Sequence, residues 1–275
     1  MAPRVAPEPG APGLTRAVAG TDERGRPVET KVVEERPLTI FLNVREIVTA
    51  MTIGDHPRWL ALGFLLNQGM LAEADEVTGI DFDAEAEAVV VRTAVRTDHE
   101  VKLARRTQTS GCAVGTVFGD MMDGIEGLSL PAGTLRTSDL YALGKTINTT
   151  PSLYLEAGAI HGTCLCEGAE VLAYFEDVGR HNAVDKLAGW MRATGVGPEG
   201  KTMYTTGRLT SEMVIKCARM GIPVLASRSG FTAWGVDLAR RVDLTLIGRL
   251  RGRRFLCLSG EHRLLRDAAP EGAAA

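Results

Sequence analysis

The second half of the chain alternates regularly between strand-like and helix-like segments, and this alternation constrains the fold more than any other feature. Three short apolar runs are each followed by a segment of helical periodicity: "AEVLAYF" by "HNAVDKLAGWMRATG", "KTMYTT" by "SEMVIKCARMG", and "PVLAS" by "TAWGVDLARRV". Such an order is typical of a three-layer α/β sheet with parallel strands, whose connecting loops gather at one edge. We therefore predict an α/β domain over residues 137–265 and expect its function in those loops.

A smaller β-rich region precedes that domain. The segment "PLTIFLNVREIVTAMTI" indicates two strands around a turn near Asn43, and "HPRWLALGFLLNQGM" indicates a helix with Pro57 in its first turn and Gly69 after its end. The segments "VTGIDFD", "EAVVVRTAV" and "EVKLARR" are typical of further strands. The sequence thus predicts an α+β region over residues 37–136, which ends in a cysteine-containing loop.

Both ends of the chain, residues 1–36 and 266–275, are predicted to be disordered tails. Half of the twelve prolines lie within the first 37 residues, among scattered charges. A segment of that composition buries too little apolar surface to offset the entropy that it loses on ordering.

The bulk composition argues against nucleic-acid and membrane partners. The formal net charge is -3, and the longest apolar run, "WLALGFLL", is much too short to cross a bilayer. Five cysteines at irregular spacings do not indicate a disulfide framework, and the N-terminal residues lack the apolar core of a signal peptide. These features predict a soluble, cytoplasmic protein.

One cysteine, Cys112, lies in a loop of glycines and small residues, "TQTSGCAVG". Its glycine neighbours would leave the sulfur accessible, and Arg105 and Arg106 just upstream would lower the pKa of the thiol. Cys112 is therefore the candidate reactive thiol. The alternative interpretation is a small residue that fills a turn.

The other four cysteines are predicted to be structural. Cys217 falls at the spacing of an apolar helix face, and Cys257 lies in the strand-like segment "RFLCL". Cys164 and Cys166 share one strand face near His161, but a structural zinc site typically needs a two-residue gap and a second pair of ligands. No metal site is predicted.

The first polar strand-to-helix junction is "FEDVGRHNAVDK". Arg180 is a candidate anion ligand at the helix start, and His181 is a candidate for orienting or protonating a bound group, with its tautomer fixed by Asp177. The alternative is a capped helix with solvated charges. Asp185 and Lys186, further along the helix, are assigned to that alternative.

Three further segments suit an anionic ligand. In "TTGRLTSEMV", Arg208 and the free amides of the helix start suit a phosphate, while Thr210 is placed to cap the helix; "SRSGFT" at 227–232 is a similar turn. In "GRLRGRRFLCLSG", Arg251 and its neighbouring arginines would neutralise a pyrophosphate, and Phe255 would face a base. The alternatives are turn chemistry alone and a solvated strand end.

Taken together, these segments resemble the FdhD family, the accessory sulfurtransferases of formate dehydrogenase. The resemblance runs from about Pro37 to Ser259, and its most specific parts are "LALGFLLNQG", "TSGCAVG", "EDVGRHNAVDK", "TTGRLTSEM" and "GIPVLASRSG". It implies an α/β/α domain similar in fold to cytidine deaminases, and a homodimer. It also implies a sulfur carrier that accepts persulfide sulfur from a cysteine desulfurase. The carrier passes that sulfur to the molybdenum (or tungsten) cofactor, a bis(molybdopterin guanine dinucleotide), before the cofactor enters formate dehydrogenase.

The resemblance also assigns residues. Cys112 matches the first cysteine of the family's "CGVC" loop, the position that carries the persulfide, while Gly115 replaces the second cysteine. The candidate cofactor ligands are Phe255, Leu256, Cys257, Leu258, Ser259 and Gly260, which match a cofactor-binding strand of the family, together with Arg251, Arg208, Arg180 and His181. A GDP-like nucleotide would occupy the same site. The zinc signature of deaminases, His-x-Glu with Pro-Cys-x-x-Cys, is missing from the sequence, which disfavours deamination.

Two other functions fit the same residues. A Cys-His hydrolase would use Cys112 as nucleophile and His181 as base, and it would cleave a model ester or amide. A non-catalytic chaperone that binds a guanine nucleotide or molybdopterin would keep its full activity when Cys112 is changed to Ser.

Overall fold

The computed structural model describes residues 4–72, 74–94, 125 and 127–270. Its strands are, in chain order, β1 (Thr15–Thr21), β2 (Pro27–Val33), β3 (Arg36–Leu42), β4 (Arg45–Thr52), β5 (Val77–Asp83), β6 (Ala88–Thr93), β7 (Leu135–Arg136), β8 (His161–Glu167), β9 (Glu170–Asp177), β10 (Lys201–Thr205), β11 (Val224–Ser227), β12 (Thr245–Arg251), β13 (Arg254–Ser259) and β14 (Leu264–Leu265). Its α-helices are α1 (Pro57–Asn67), α2 (Thr137–Thr149), α3 (Leu153–Ala157), α4 (Arg180–Thr194), α5 (Ser211–Arg219) and α6 (Ala233–Arg241). None of these helices is long and apolar enough to cross a membrane.

Six strands form the main sheet, in the order β13-β12-β11-β10-β8-β9. β10, β11 and β12 are parallel, whereas β8, β9 and β13 each pair antiparallel with a neighbour. Successive residues of a strand face opposite sides, so Met203 packs with α4, α5 and α6 while Tyr204 packs with α2. Helices thus cover both faces, and the mixed α/β architecture predicted from the alternation is confirmed. The specific likeness to cytidine deaminases stays a prediction.

A second sheet of four strands, in the order β4-β3-β6-β5, is built by the segments that precede the main sheet. β3 and β4 turn at Asn43, which has φ 55, and Gly69 with φ 68 follows the end of α1. Helix α1 packs on this sheet through a core that includes Ile40, Leu65 and Val89. The predicted helix and strands of this region are confirmed, except that "EVKLARR" lies outside the described residues.

Helices α1 and α4 contact each other at backbone distance. A Cβ atom on Gly63 would lie 1.8 Å from the backbone oxygen of Asp185, and one on Gly189 would lie 2.0 Å from the backbone oxygen of Trp59. Only glycine fits at both positions, because a Cβ would collide with backbone that has no room to move. We call this contact the glycine seam; it joins the small sheet, through α1, to the helix layer of the main sheet.

The predicted N-terminal tail is wrong for residues 4–36. β1 and β2 form an antiparallel hairpin, and the backbone oxygen of Val5 accepts the N–H of Tyr174 at 3.0 Å on the outer edge of β9. Leu14 is buried in a small apolar cluster with Ile53. Composition does not reveal this order because the segment has no core of its own and instead uses a strand edge and an apolar cluster supplied by the rest of the chain.

The predicted C-terminal tail is wrong at Asp267. Its carboxylate accepts the N–H of Ser138 at 3.0 Å and the hydroxyl of Ser138 at 2.7 Å, at the start of α2. These hydrogen bonds hold the pKa of Asp267 far below its usual range. Order therefore extends past residue 265, while residues 271–275 lie outside the described part.

Candidate functional site

Loops that follow three strands of the main sheet meet at one border, as the alternation predicts. The register pairs Thr205 with both Ser227 and Thr163, and it pairs His161 with Asp177. The carboxyl ends of β9, β10 and β11 therefore lie beside the first residue of β8. We call this border the carboxyl edge; it consists of His161 and residues 178–181, 206–210 and 227–231.

Arg180, the first residue of α4, is half-buried at the carboxyl edge. A Cβ atom on Gly207 would lie 2.9 Å from Cδ of Arg180, so this glycine leaves room for the arginine side chain. The Nε atom of Arg180 is buried and has no hydrogen-bond partner among the described residues. Burial, together with the charge of Arg208, lowers the pKa of Arg180. The two guanidinium groups repel each other here, and a bound anion would relieve that repulsion.

His181 is 8% exposed, and its Nε2 atom lies 3.3 Å from Oε2 of Glu212 without hydrogen-bond geometry. Burial lowers the pKa of His181 well below its usual range, and the charges of Lys216 and Arg180 act in the same direction. The imidazole is therefore neutral at physiological pH. This disfavours the protonation of a bound group by His181, while its other predicted role, to orient such a group, stays a prediction.

The expected contact between Asp177 and His181 is not formed. The Asp177 carboxylate instead accepts hydrogen bonds from the Thr52 hydroxyl at 2.5 Å and from the N–H of Gly179 at 3.0 Å. It also lies 2.6 Å from Nζ of Lys186. Asp177 is thus fully occupied in holding the start of α4 to β4.

Asp185 and Lys186 are not the solvated charges that the sequence suggests. Asp185 is 1% exposed and accepts from Nζ of Lys216 at 2.8 Å and from Nδ2 of Asn67 at 2.7 Å. Lys186 has no exposed surface, and it contacts Asp177, Asp55 and the backbone oxygen of Glu176. Both side chains are buried because α4 is covered by α1 on the side that an isolated helix would turn to water. The sequence did contain a sign of the buried ion pair. In "MVIKCA" the lysine, Lys216, lies within an otherwise apolar helical segment, which indicates that it is buried and needs an acidic partner.

Two loops of the carboxyl edge hold each other. The Ser227 hydroxyl donates to the backbone oxygen of Gly207 at 2.7 Å, and the N–H of Leu209 donates to the oxygen of Gly230 at 2.9 Å. Thr210 occupies the N-cap position of α5, but its buried hydroxyl has no hydrogen-bond partner among the described residues. The capping bond expected of Thr210 is therefore not formed.

His161 and Arg228 line the far side of the carboxyl edge. Nδ1 of His161 lies 3.3 Å from Oγ1 of Thr206, and burial, with the charges of Arg180 and Arg228, lowers the pKa of His161. The Arg228 guanidinium lies over the Tyr154 ring, 4.5 Å from its centroid, beside a cavity of about 220 Å³. Cationic and aromatic groups thus border a space that would accommodate part of a ligand.

The arginine-rich turn between β12 and β13 lies beside the carboxyl edge, but strand β13 runs away from that edge. The N–H of Arg249 donates to the oxygen of Ser229 at 2.8 Å, which brings the β12–β13 turn with Arg251 beside this border. β13 then runs back along β12, and the oxygen of Gly260 accepts from the Thr245 hydroxyl at 2.9 Å. Thr245 begins β12, so Gly260 lies at the opposite end of the sheet.

The ten predicted cofactor ligands therefore do not form one site. Arg180, His181 and Arg208 share the carboxyl edge, with Arg251 in the adjacent turn. A six-residue strand spans about 17–20 Å, so the strand positions Phe255, Leu256, Cys257, Leu258, Ser259 and Gly260 lead progressively away from it. The Phe255 ring packs near Tyr141, 6.1 Å between centroids, and so contributes to the core rather than presenting a free face to a base.

The four cysteines in the described part match their predicted structural role. Cys164, Cys166 and Cys217 have no exposed surface, and Cys257 is partly buried on β13. Burial raises the pKa of each of these thiols. All four are thus protonated and poorly reactive at neutral pH. Cys112 lies outside the described residues.

Comparison with known proteins agrees with the resemblance. A model of the FdhD/NarQ family matches residues 33–265. A protein of Listeria innocua named sulfur carrier protein FdhD is 28% identical over 255 residues, covering 91% of this chain and 97% of that protein. A protein of Chromobacterium violaceum with the same name is 32% identical over 248 residues, covering 86% of this chain and 90% of that protein.

A solved structure has the same fold. It is described as that of a candidate formate dehydrogenase accessory protein from Desulfotalea psychrophila. The two chains superpose with a TM-score of 0.74 at 28% identity, over 91% of this chain and 98% of the other. Because the family model spans both sheets and the carboxyl edge, and the relatives match nearly end to end, the chain belongs to the FdhD/NarQ family.

Proposed function

We propose that this protein is a sulfur carrier that serves formate dehydrogenase. It would accept persulfide sulfur at Cys112 from a cysteine desulfurase and transfer it to the molybdenum (or tungsten) bis(molybdopterin guanine dinucleotide) cofactor. The proposal is supported by the family, whose curated members in Listeria and Chromobacterium are named sulfur carrier proteins. The observation that carries it is the cationic carboxyl edge, which suits a cofactor rich in phosphate.

The donors at this border fit such a substrate. Arg180 begins helix α4, Arg208 and Arg228 follow β10 and β11, and no ion pair joins these arginines to a carboxylate of the described residues. Guanidinium groups are well suited to phosphate because they offer planar, paired donors. We propose that these arginines hold the phosphates of the cofactor, with the deaminase-like layering of the main sheet providing the rigid frame. A GDP-like nucleotide would bind through the same groups.

The chemistry begins with thiol exchange. The Cys112 thiolate attacks the outer sulfur of the donor persulfide, the donor S–S bond breaks, and the donor cysteine leaves as a thiolate. Cys112 then carries the persulfide for delivery to the metal centre. Arg105 and Arg106, near it in sequence, would favour the thiolate form. Gly115 leaves one thiol in this loop, so we propose that a single cysteine carries the sulfur.

Peptide mass spectrometry after incubation with a cysteine desulfurase and cysteine tests this function. We expect persulfide on Cys112 in the wild type and none at that position in Cys112→Ser, which should also fail to activate formate dehydrogenase. A double change of Cys164 and Cys166 to Ser is the matched control, because both thiols are buried. Normal activation by Cys112→Ser would overturn the proposal and favour a nucleotide-binding chaperone, and hydrolysis of a model ester would favour the Cys-His hydrolase.

A further inference from the structure

A cavity of about 340 Å³ lies where helices α1, α4 and α5 end, away from the carboxyl edge. Helix α4 begins at that edge and has 15 residues, so it ends about 22 Å from where it begins. The volume is within the range of small-molecule sites in proteins, roughly 300–1,000 Å³. We call this space the helix-end cavity; its lining comes from residues 66–72, 188–198 and 219–220. The proposed function does not use it.

The apolar part of the lining comes from both cores of the molecule. Leu71 belongs to the core of the small sheet, and Met191 belongs to the core between the main sheet and its helices. Ala188, between them in the lining, is also buried. Binding sites for small molecules occur preferentially where two structural units meet. An apolar group in the helix-end cavity would therefore lose water-exposed surface against both units.

Two arginines also line the helix-end cavity, and no acidic residue of the described part of the chain does so. The Arg219 guanidinium lies against the backbone at Gly69, where a Cβ atom would be only 3.0 Å from its Nη2. Nη2 of Arg192 donates to the backbone oxygen of Asp75 at 3.4 Å. A guanidinium has five N–H donors in a planar fork that matches a carboxylate. Each arginine can thus hold a carboxylate in addition to the contacts that it already makes.

The helix ends beside the cavity do not call for a cation. The end of a helix carries carbonyl oxygens and a partial negative charge. At the end of α4, however, the oxygen of Met191 accepts the N–H of Val196 at 3.2 Å, and at the end of α5 the oxygen of Cys217 accepts the N–H of Ile222 at 3.1 Å. Among the described residues, the ionic preference of the cavity is therefore set by its two guanidinium groups, and it favours an anion.

We propose that the helix-end cavity binds a small organic anion with an apolar body and one carboxylate. The apolar body lies against Leu71, Ala188 and Met191, and the carboxylate lies against Arg192 and Arg219. This inference goes beyond the proposed function, which places the cofactor at the opposite end of α4. Two sources share this chemistry: a free aliphatic acid, and the C-terminal residue of a peptide. Either ligand would contact both cores and so stabilise the folded state.

Titration calorimetry on the full chain tests this site with octanoate and N-acetylalanylleucine as separate probes. We expect the double variant Arg192→Gln with Arg219→Gln to weaken binding about tenfold or more, because charge-assisted hydrogen bonds are lost. 1-Octanol has the apolar chain without the charge, so it should bind the wild type more weakly than octanoate and bind the double variant equally well. The matched control is Arg240→Gln with Arg241→Gln, which removes two exposed arginines from the last turn of α6.

A second variant, Ala188→Leu, adds bulk to the apolar lining and should abolish the binding of both probes. Tighter binding of octanoate supports the free acid as the source, and tighter binding of the peptide supports a peptide terminus. The proposal would be overturned by a wild type that binds neither probe, by 1-octanol binding as tightly as octanoate, or by unchanged affinity in either folded variant. If Ala188→Leu does not fold, the double arginine variant decides, because Arg192 is exposed and Arg219 is only partly buried.

Discussion

The ammonium group of Lys216 is buried, and this burial determines how a substitution at Lys216 changes the stability of the fold. Nζ of Lys216 contacts both carboxylate oxygens of Asp185, and Asn67 donates to the same carboxylate. Removing one partner of a buried ion pair leaves an uncompensated charge, which typically costs about 3–5 kcal/mol. The pair therefore tests whether charge balance or packing stabilises this part of the molecule.

We expect Lys216→Met to lower the free energy of unfolding by about 3 kcal/mol or more. The double variant Lys216→Met with Asp185→Leu should recover most of that loss, because it removes both charges and keeps the volume. Urea denaturation of both variants and the wild type provides the measurement. Equal destabilisation in the single and double variants would show that the ionic contact itself is needed.

His181 should make stability depend on pH. Burial lowers its pKa in the folded state, so the unfolded chain takes up a proton at a pH where the folded chain does not. Its contribution is therefore complete above the ordinary histidine pKa of about 6.5 and is lost as the pH falls below it. In the wild type, the free energy of unfolding should fall between about pH 7 and pH 5. We expect this fall to be smaller in His181→Gln, by about 1–2 kcal/mol.

The control for this prediction is His262→Gln, a histidine on the surface of the chain. Both variants are compared by denaturant unfolding at several pH values. An identical pH slope in His181→Gln and the wild type would contradict the assigned neutral state of His181. The same titration followed by NMR should place the pKa of His181 below 6.5.

For single residues, the sequence predicted which side chains lie in the loops at the edge of the sheet, but it did not predict which charged side chains are buried. Arg180, His181 and Arg208 could be placed together from the sequence, because residues that directly follow parallel strands lie at the same edge of the sheet. Their binding of a ligand stays a prediction. The burial of Asp185 was missed because it depends on Asn67, which lies far away in sequence and meets it only when α1 packs on α4. The second half of "FLCLSG" lies far from those residues, because successive residues of a strand are spread along its length. Its predicted contact with the cofactor stays a prediction.

The glycine seam determines how closely two elements approach. We expect Gly189→Ala and Gly63→Ala each to lower the free energy of unfolding by about 2–3 kcal/mol or more, since a Cβ at either position meets backbone atoms. Gly20→Ala is the control, because a Cβ there has no heavy atom within 4 Å. Thermal unfolding of the three variants measures the difference. A neutral Gly189→Ala would mean that the two helices are free to move apart at little cost.

Strands and helices could be predicted from the sequence where they are buried, and they could not be predicted where both of their faces are exposed. β10, β11 and α5 carry strong apolar patterns because the main sheet buries them. β1 and β2 form a hairpin whose residues are mostly exposed, so no alternation distinguishes them from a tail. Their position is fixed by contacts elsewhere, including the bond of 2.8 Å between Lys31 and Glu156 of α3.

For the whole molecule, the segment before β1 closes the outer edge of the main sheet. Val5 pairs with Ala173, so β9 is not left with an open row of hydrogen-bonding groups at that point. An unpaired strand edge is a template for association with other chains. Deleting residues 1–14 should lower the melting temperature by several degrees, since it removes Leu14 from its cluster, and it should increase self-association.

Size-exclusion chromatography with light scattering, at several protein concentrations, measures that association. Leu14→Ala is the matched control, because it weakens the cluster but leaves the pairing of Val5 intact. Larger species in the deletion alone would support the role of the segment as an edge cover. A deletion variant with the same mass and melting temperature as the wild type would contradict it.

The pairing of Val5 with Ala173 also sets the order in which a nascent chain reaches its final form. Val5 leaves the ribosome well before Ala173, because the partner strand is made more than half the length of this chain later. At roughly 5–20 residues per second, the delay is on the order of ten seconds or more. During that interval the amino-terminal segment has no strand to join, so it remains accessible to chaperones and proteases. The segment consequently docks late in biosynthesis, although it is made before the strand that it joins.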